Sequence, residues 1–395
     1  MNREPGRNPL PFLYVIGFSA TSSIQIVSPL TSLFAIHYLG ASIAEVGYII
    51  AAFFIASMLT KLPLAFSRGE RKMPYLLFLS GILMSISPLA YAASFSPTVL
   101  FVARFIHGVG FSLLAASGLS LVTLMSVRGM RGRAINRYTS FIALGLVVGP
   151  AISSASLMFV GVRETLMLSS LVASPIVFCA FLILKKSSLH LAETPSRTER
   201  SARKVGTVFR NGSFQMSFLS YFSFAFIYGV FLSYVPVYLK QEYVFPNYLV
   251  TAAFFGYFAA TALSRFFVNK AQEKMGGQNT LITALLTASI LGIVIFVVRT
   301  PATFTGSFIL MGLSHGIVFP VTAIIVMRAI EPSSLLLANS MFLLAFDLGT
   351  TFGPVLTSSI AANYGILTAL LVSVMPSFCI ALAQITGPFV RKNRK

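Results

Sequence analysis

Gly145-Leu146-Val147-Val148-Gly149-Pro150 returns as Gly349-Thr350-Thr351-Phe352-Gly353-Pro354, 204 residues further on, and each copy sits inside a long apolar run. Other echoes surround this one in the same order. Gly47-Tyr48 reappears as Gly256-Tyr257, 209 residues later, and His107-Gly108 as His315-Gly316, 208 later. Pro175 and Cys179 have looser counterparts in Pro376 and Cys379. Four ordered coincidences at nearly one spacing point to a duplicated chain.

The duplicated unit is a set of membrane helices. Of the 395 residues 56% are hydrophobic and only 10% charged, with a mean hydropathy of +0.84, against about 25% charged in a soluble globule. The apolar residues gather in segments of roughly 18 to 26, and at about 1.5 Å per residue each can cross a hydrocarbon layer of about 30 Å. The expected spans are 11–36, 43–66, 73–93, 98–122, 137–158, 163–185, 213–238, 248–268, 279–299, 303–327, 335–358 and 365–387. Eleven such segments follow the first, so it reads as a retained helix and not a signal peptide. The expected fold is an all-α membrane protein of twelve transmembrane helices in two six-helix repeats: a bundle over 1–186, a basic linker over 187–211 and a second bundle over 212–395. Parallel six-helix repeats related by an axis along the membrane normal imply a carrier whose site lies between the halves.

The net charge of +19, from 29 Lys and Arg against 10 Asp and Glu, would suggest nucleic acid as partner in a soluble chain. Placed on the spans it reads differently, and no nucleic-acid partner is expected. With both termini cytoplasmic, 25 of the 29 basic residues fall on the cytoplasmic side, three (Arg163, Lys240 and Arg299) fall outside, and Arg104 lies within a span. That bias orients the chain as a multi-pass protein of a plasma or inner membrane of prokaryotic type. The linker's Lys185, Lys186, Arg197, Arg200, Arg203, Lys204 and Arg210 read as a solvated inside loop or a contact with anionic lipid headgroups.

Arg104-Phe105-Ile106-His107-Gly108-Val109-Gly110 in the fourth span and Gly145 to Pro150 in the fifth resemble two motifs of the major facilitator superfamily (MFS), with His107 where many members carry Gln. The resemblance covers nearly the whole chain. It implies helices one, four, seven and ten around a central cavity. It also links the Gly-Pro motif to exporters and proton antiporters, where that motif limits leak, and implies a carrier that is often monomeric. The superfamily loop between helices two and three reads here Pro63-Leu64-Ala65-Phe66-Ser67-Arg68-Gly69-Glu70-Arg71-Lys72. Ser67 replaces the usual aspartate and Glu70 the second glycine, while Arg68, Arg71 and Lys72 keep the basic pattern. Arg68 and Arg71 are therefore conformational candidates without the usual acidic partner.

Within the spans a few residues carry chemistry. A guanidinium at Arg104 is costly unless it faces a polar cavity or a partner. It could bind an anionic group, respond to a nearby carboxylate, or tie its helix to neighbours. Asp347 is the only Asp in the chain and lies inside span eleven. A carboxylate there can take up a proton and couple it to a change of state, pair with a cationic substrate, or hold a helix contact. Glu45 and Glu164, near the outer face, are the other proton-coupling candidates, because span one carries no carboxylate. His107 and His315, at matching places in the repeats, can donate, accept or titrate, or serve only as hydrogen bonds between helices. Gln25, among the hydroxyls of span one, and Tyr228 in span seven complete the candidate substrate-binding set of Gln25, Arg104, His107, Tyr228 and His315. Gly145, Gly149 and Pro150, with Gly349, Gly353 and Pro354, suit close helix approach, a bend, or a hinge between states.

No metal site or cofactor is expected: the two cysteines lack CxxC spacing, and no Gly-rich run ends in Lys-Ser or Lys-Thr. Nothing calls for an enzyme. The expected function is secondary active transport, proton-coupled export of a small amphipathic metabolite or drug by alternating access. An importer or facilitator of a sugar or carboxylate, and a membrane sensor or scaffold, stand as alternatives.

Overall fold

The computed structural model describes residues 9–66, 72–127, 129–187, 206–331 and 334–386. Among them the first six helices are α1 (Leu10–Leu39), α2 (Ile43–Phe66), α3 (Met73–Ala92), α4 (Pro97–Met125), α5 (Arg131–Ser156) and α6 (Val162–Ser187). Seven more follow: α7 (Gly212–Gln241), α8 (Asn247–Arg265), α9 (Val268–Met275), α10 (Gly277–Val297), α11 (Pro301–Ala329), α12 (Leu335–Tyr364) and α13 (Ile366–Thr386). Eleven are long and apolar enough to cross a membrane, and α8 with the short α9, bent by 53°, makes the twelfth. Several run past the expected spans at both ends, because the polar residues that close a hydropathy window still continue the helix.

Local chemistry starts and stops the helices in the same way in both halves. Ser96 accepts from the Val99 amide at 3.3 Å ahead of Pro97, and Thr300 accepts from the Thr303 amide at 3.2 Å ahead of Pro301. Each is an N-cap followed by proline at the first helical position. At the far end of α1 the Ala41 amide donates to the Ala35 carbonyl at 2.9 Å, and after α7 the Phe245 amide donates to Leu239 at 3.1 Å. Gly40 and Val244 both take positive φ there. Span hydroxyls mostly donate back four residues, as Thr31 does to Val27 and Thr322 to Val318.

These features give the repeat one register. The starts of α2 and α8, α3 and α10, α4 and α11, α5 and α12, and α6 and α13 are each 204 residues apart. The Gly-Pro echo obeys that spacing and the other echoes do not. A Cβ on Gly108 would meet the Phe53 carbonyl and Ala56, while one on Gly312 would meet the Tyr257 carbonyl and Ala260. Gly312, not Gly316, is thus the partner of Gly108, and His315 stands at the place of Phe111. The matching of His107 with His315 is corrected by four residues, about one turn, and that of Gly47 with Gly256 by five. A four-residue slip leaves residues on the same helix face, which is why the false histidine register resembles the true one.

Packing repeats as well. α1 lies against α5 and α6 as α7 lies against α12 and α13, and α2 and α3 pack on α4 as α8 and α10 pack on α11. Between the halves, α2 packs on α12, α5 on α8, and α1 on α7. The face bearing the start of α1 is called the terminal face below, the other the distal face. Near the distal face Ser154 donates to the Tyr248 carbonyl at 2.8 Å, and Ser32 to the Leu232 carbonyl at 3.5 Å. There, too, a Cβ on Gly47 would come within 2.7 Å of the Pro354 carbonyl oxygen. The halves are closed together on that side.

Candidate functional site

One ion pair crosses the interface. Lys61 Nζ on α2 donates to Asp347 Oδ2 on α12 at 2.7 Å, and it is the only ion pair among the described residues. The carboxylate side chain is 2% exposed and the lysine 23%. A buried charge needs a partner, and Asp347 takes one from the opposite half. Lys61 is legible in the sequence only as a basic helix-end residue, although it lies inside the expected second span.

Arg104 is 1% exposed, with its guanidinium 5.0 Å from the Phe53 ring and 5.9 Å from the Tyr91 ring. Cation–π contacts of this kind compensate part of the desolvation. Arg104 Nε and Nη1 have no hydrogen-bond partner. His107, one turn on, is fully buried against the same Phe53 and Tyr91 rings, with Nδ1 2.7 Å from the Tyr91 hydroxyl. It is therefore joined to α3, inside its own half.

Gln25, Tyr228 and His315 do come together. Gln25 and Arg104 both lie within electrostatic range of the Tyr228 hydroxyl. The Tyr228 ring lies 5.0 Å from His315, whose Nδ1 is 3.0 Å from the Tyr257 hydroxyl. Tyr221 stacks on Phe342 at 4.7 Å and on Phe346 at 5.4 Å, and Phe54 of the other half meets Phe346 at 6.2 Å. An aromatic wall thus separates the Lys61–Asp347 pair from the group around Arg104. On the other side, Lys61 lies over Phe111 at 5.6 Å, and Phe111 lies 5.3 Å from Phe53.

The remaining candidates lie elsewhere. Glu45 accepts from the Ser42 amide and hydroxyl at 2.7 and 2.8 Å, as a helix cap does, and Glu164 is exposed in the first turn of α6. Both sit at the distal rim. A Cβ on Gly149 would come 2.5 Å from the Ser22 carbonyl oxygen, and one on Gly353 2.5 Å from that of Phe226. With Gly145 and Gly349 they press α5 onto α1 and α12 onto α7, within each half. Pro150 and Pro354 lie in the same helices. Arg68 and Arg71 lie outside the described residues.

The sequence pattern of the Major Facilitator Superfamily matches residues 13–298 and again 218–394. The chain belongs to that superfamily. An uncharacterized MFS-type transporter of Bacillus subtilis (strain 168), YfkF, is 24% identical over 322 residues, 81% of this chain and 78% of that protein. The human chromaffin granule amine transporter is 31% identical over 135 residues, 34% of this chain. That alignment spans about a quarter of the amine transporter's length, 24%. Among solved structures, the nucleoside transporter NupG superposes with a TM-score of 0.77 at 14% identity, over 96% of this chain and 98% of that one. A bacterial homolog of the human lysosomal transporter Spinster, in an inward-facing occupied conformation, gives 0.73 at 16% identity over 97% of each chain. At these identities the structures share the fold alone. By family and by its apolar helices this chain is accordingly a multi-pass membrane protein of the MFS transporter type.

Proposed function

We propose that this MFS transporter exports a small amphipathic molecule in exchange for protons, working by alternating access in a plasma membrane with both chain ends cytoplasmic. The observation that carries the reading is the buried Asp347 carboxylate paired across the interface with Lys61. Ionised, it ties α2 to α12. Protonated, it no longer attracts the ammonium, and Lys61 is exposed enough to turn to water. Proton uptake thereby lowers the cost of moving the two bundles, 1–186 and 212–395, past one another. The group of Gln25, Arg104, Tyr228 and His315 lies between the bundles and receives the cargo. The glycine seams keep each bundle rigid as it rocks.

Flux in proteoliposomes under an imposed pH gradient tests the exchange. Protons leaving an acidic lumen drive an antiporter to accumulate amphipathic cargo inside, beyond the pH trapping seen in protein-free vesicles. Accumulation on the alkaline side would show symport, and flux indifferent to the gradient a facilitator; either result overturns the proposal.

A further inference from the structure

The 204-residue register places Arg265, the last residue of α8, at the position of Lys61 in α2. It places Ala143 of α5 at the position of Asp347 in α12. α8 packs on α5 just as α2 packs on α12. One side of this pseudo-symmetric arrangement therefore has a cation and its carboxylate, and the other has a cation with alanine at the position equivalent to the carboxylate. We infer that Arg265 recognises an anionic group on the cargo, whose carboxylate takes against Arg265 the place that Asp347 takes against Lys61. The inference rests on the reading of the chain as a carrier with its site between the halves, and it names the class of cargo as an aromatic or amphipathic monoanion.

Three observations support it. Arg265 is exposed, and it acts electrostatically on Tyr221 of α7 and His315 of α11, two side chains of the central aromatic group. Tyr221, stacked on Phe342 and Phe346 and 5.6 Å from Phe319, offers an apolar wall within electrostatic range of that charge. Such a wall suits a flat ring that carries a carboxylate. Finally, the charge between the halves is unbalanced. Asp347 is engaged by Lys61, while Arg104 has two unpartnered nitrogens and no acid within ion-pair distance among the described residues. A cationic cargo would add to that excess, whereas an anionic one reduces it. An arginine fork also matches a carboxylate in bidentate geometry.

The test uses the purified full chain in detergent and three probes of one shape: naphthoate, naphthamide and naphthylmethylammonium, at neutral pH. Equilibrium dialysis reads the affinities, with melting and size exclusion as controls for folding. Naphthoate is expected to bind at least about tenfold more tightly than the other two, the scale of one hydrogen bond to a charged group. Arg265→Gln removes the preference and Arg265→Lys keeps it. Ala143→Asp supplies an internal carboxylate opposite Arg265, so it weakens naphthoate by a similar factor and leaves naphthamide unchanged. It also serves as the second variant should Arg265→Gln fail to fold. The inference is overturned by tightest binding of the ammonium probe, by a wild-type preference in Arg265→Gln or an unaffected naphthoate affinity in Ala143→Asp, or by no binding of any probe at its solubility limit. Because dialysis involves no gradient, a carboxylate preference without proton exchange would sink the antiport reading and leave this one standing. Proton exchange of the amine would do the opposite.

Discussion

Replacing Lys61 with alanine is expected to destabilise the purified carrier more than replacing Lys61 and Asp347 together. The single change leaves a buried carboxylate facing α2 without its ammonium, and removing one partner of a buried pair costs about 3–5 kcal/mol. Lys61 is 23% exposed, so solvent screens part of the interaction and the effect belongs at or below the lower end of that range. The double change removes both charges and returns most of the loss, because two apolar side chains carry no desolvation penalty. Transport should vanish in both. Half-life at a fixed temperature is the appropriate readout for a detergent-solubilised membrane protein that unfolds irreversibly. A double variant as short-lived as the single one would show that the pair is not energetically coupled across the halves.

Gly353→Val should be more damaging still. A Cβ at that position lies 2.5 Å from the Phe226 carbonyl oxygen and 3.2 Å from Val230 Cγ2. The first neighbour is the backbone of α7, which cannot turn aside as a side chain can, so α12 must move off its partner. Overpacking a core by a methylene or two costs about 1–3 kcal/mol, and displacing a helix seam should cost about 3 kcal/mol or more. Loss of the monodisperse size-exclusion peak is the expected outcome. Gly306, where a Cβ would have nothing within 4 Å, supplies the control: Gly306→Ala should match or slightly exceed wild-type stability, by up to about 1 kcal/mol. A Gly353→Val protein with wild-type melting would show that the seam is loose.

The twelve spans are legible in the sequence because hydrocarbon leaves a segment no option but a long apolar helix. Duplication is legible from the Gly-Pro pairs, whose spacing is the true one. The histidine echo leads one turn astray, since a helix repeats its face every 3.6 residues and a linear comparison does not register the slip; the Gly-Tyr echo is five residues off. Caps carry the correct register: Ser96-Pro97 and Thr300-Pro301 are readable in the sequence as helix starts. Asp347 stands out as the sole aspartate, but its partner is 286 residues away and reads, by position alone, as one more charge of the cytoplasmic side. A lysine following fifteen uncharged residues, Val46 to Thr60, is the available signal. Arg265 gives none until the register is known. Gln25, Tyr228 and His315 converge because α1, α7 and α11 do, whereas His107 turns to Tyr91, a rotation about α4 that spacing alone does not determine.

The central claim is that Asp347 carries the exchanged proton, and proton release on cargo binding tests it most directly. Whichever of naphthoate, naphthamide and naphthylmethylammonium binds is added, pH-matched and weakly buffered, to the purified carrier at several starting pH values. The wild-type protein should release protons over the range in which Asp347 is protonated before binding. Asp347→Asn, which keeps the shape of the side chain without a titrating group, should bind the same probe and release none. Release of wild-type size from Asp347→Asn would contradict the account and move the coupling to another group.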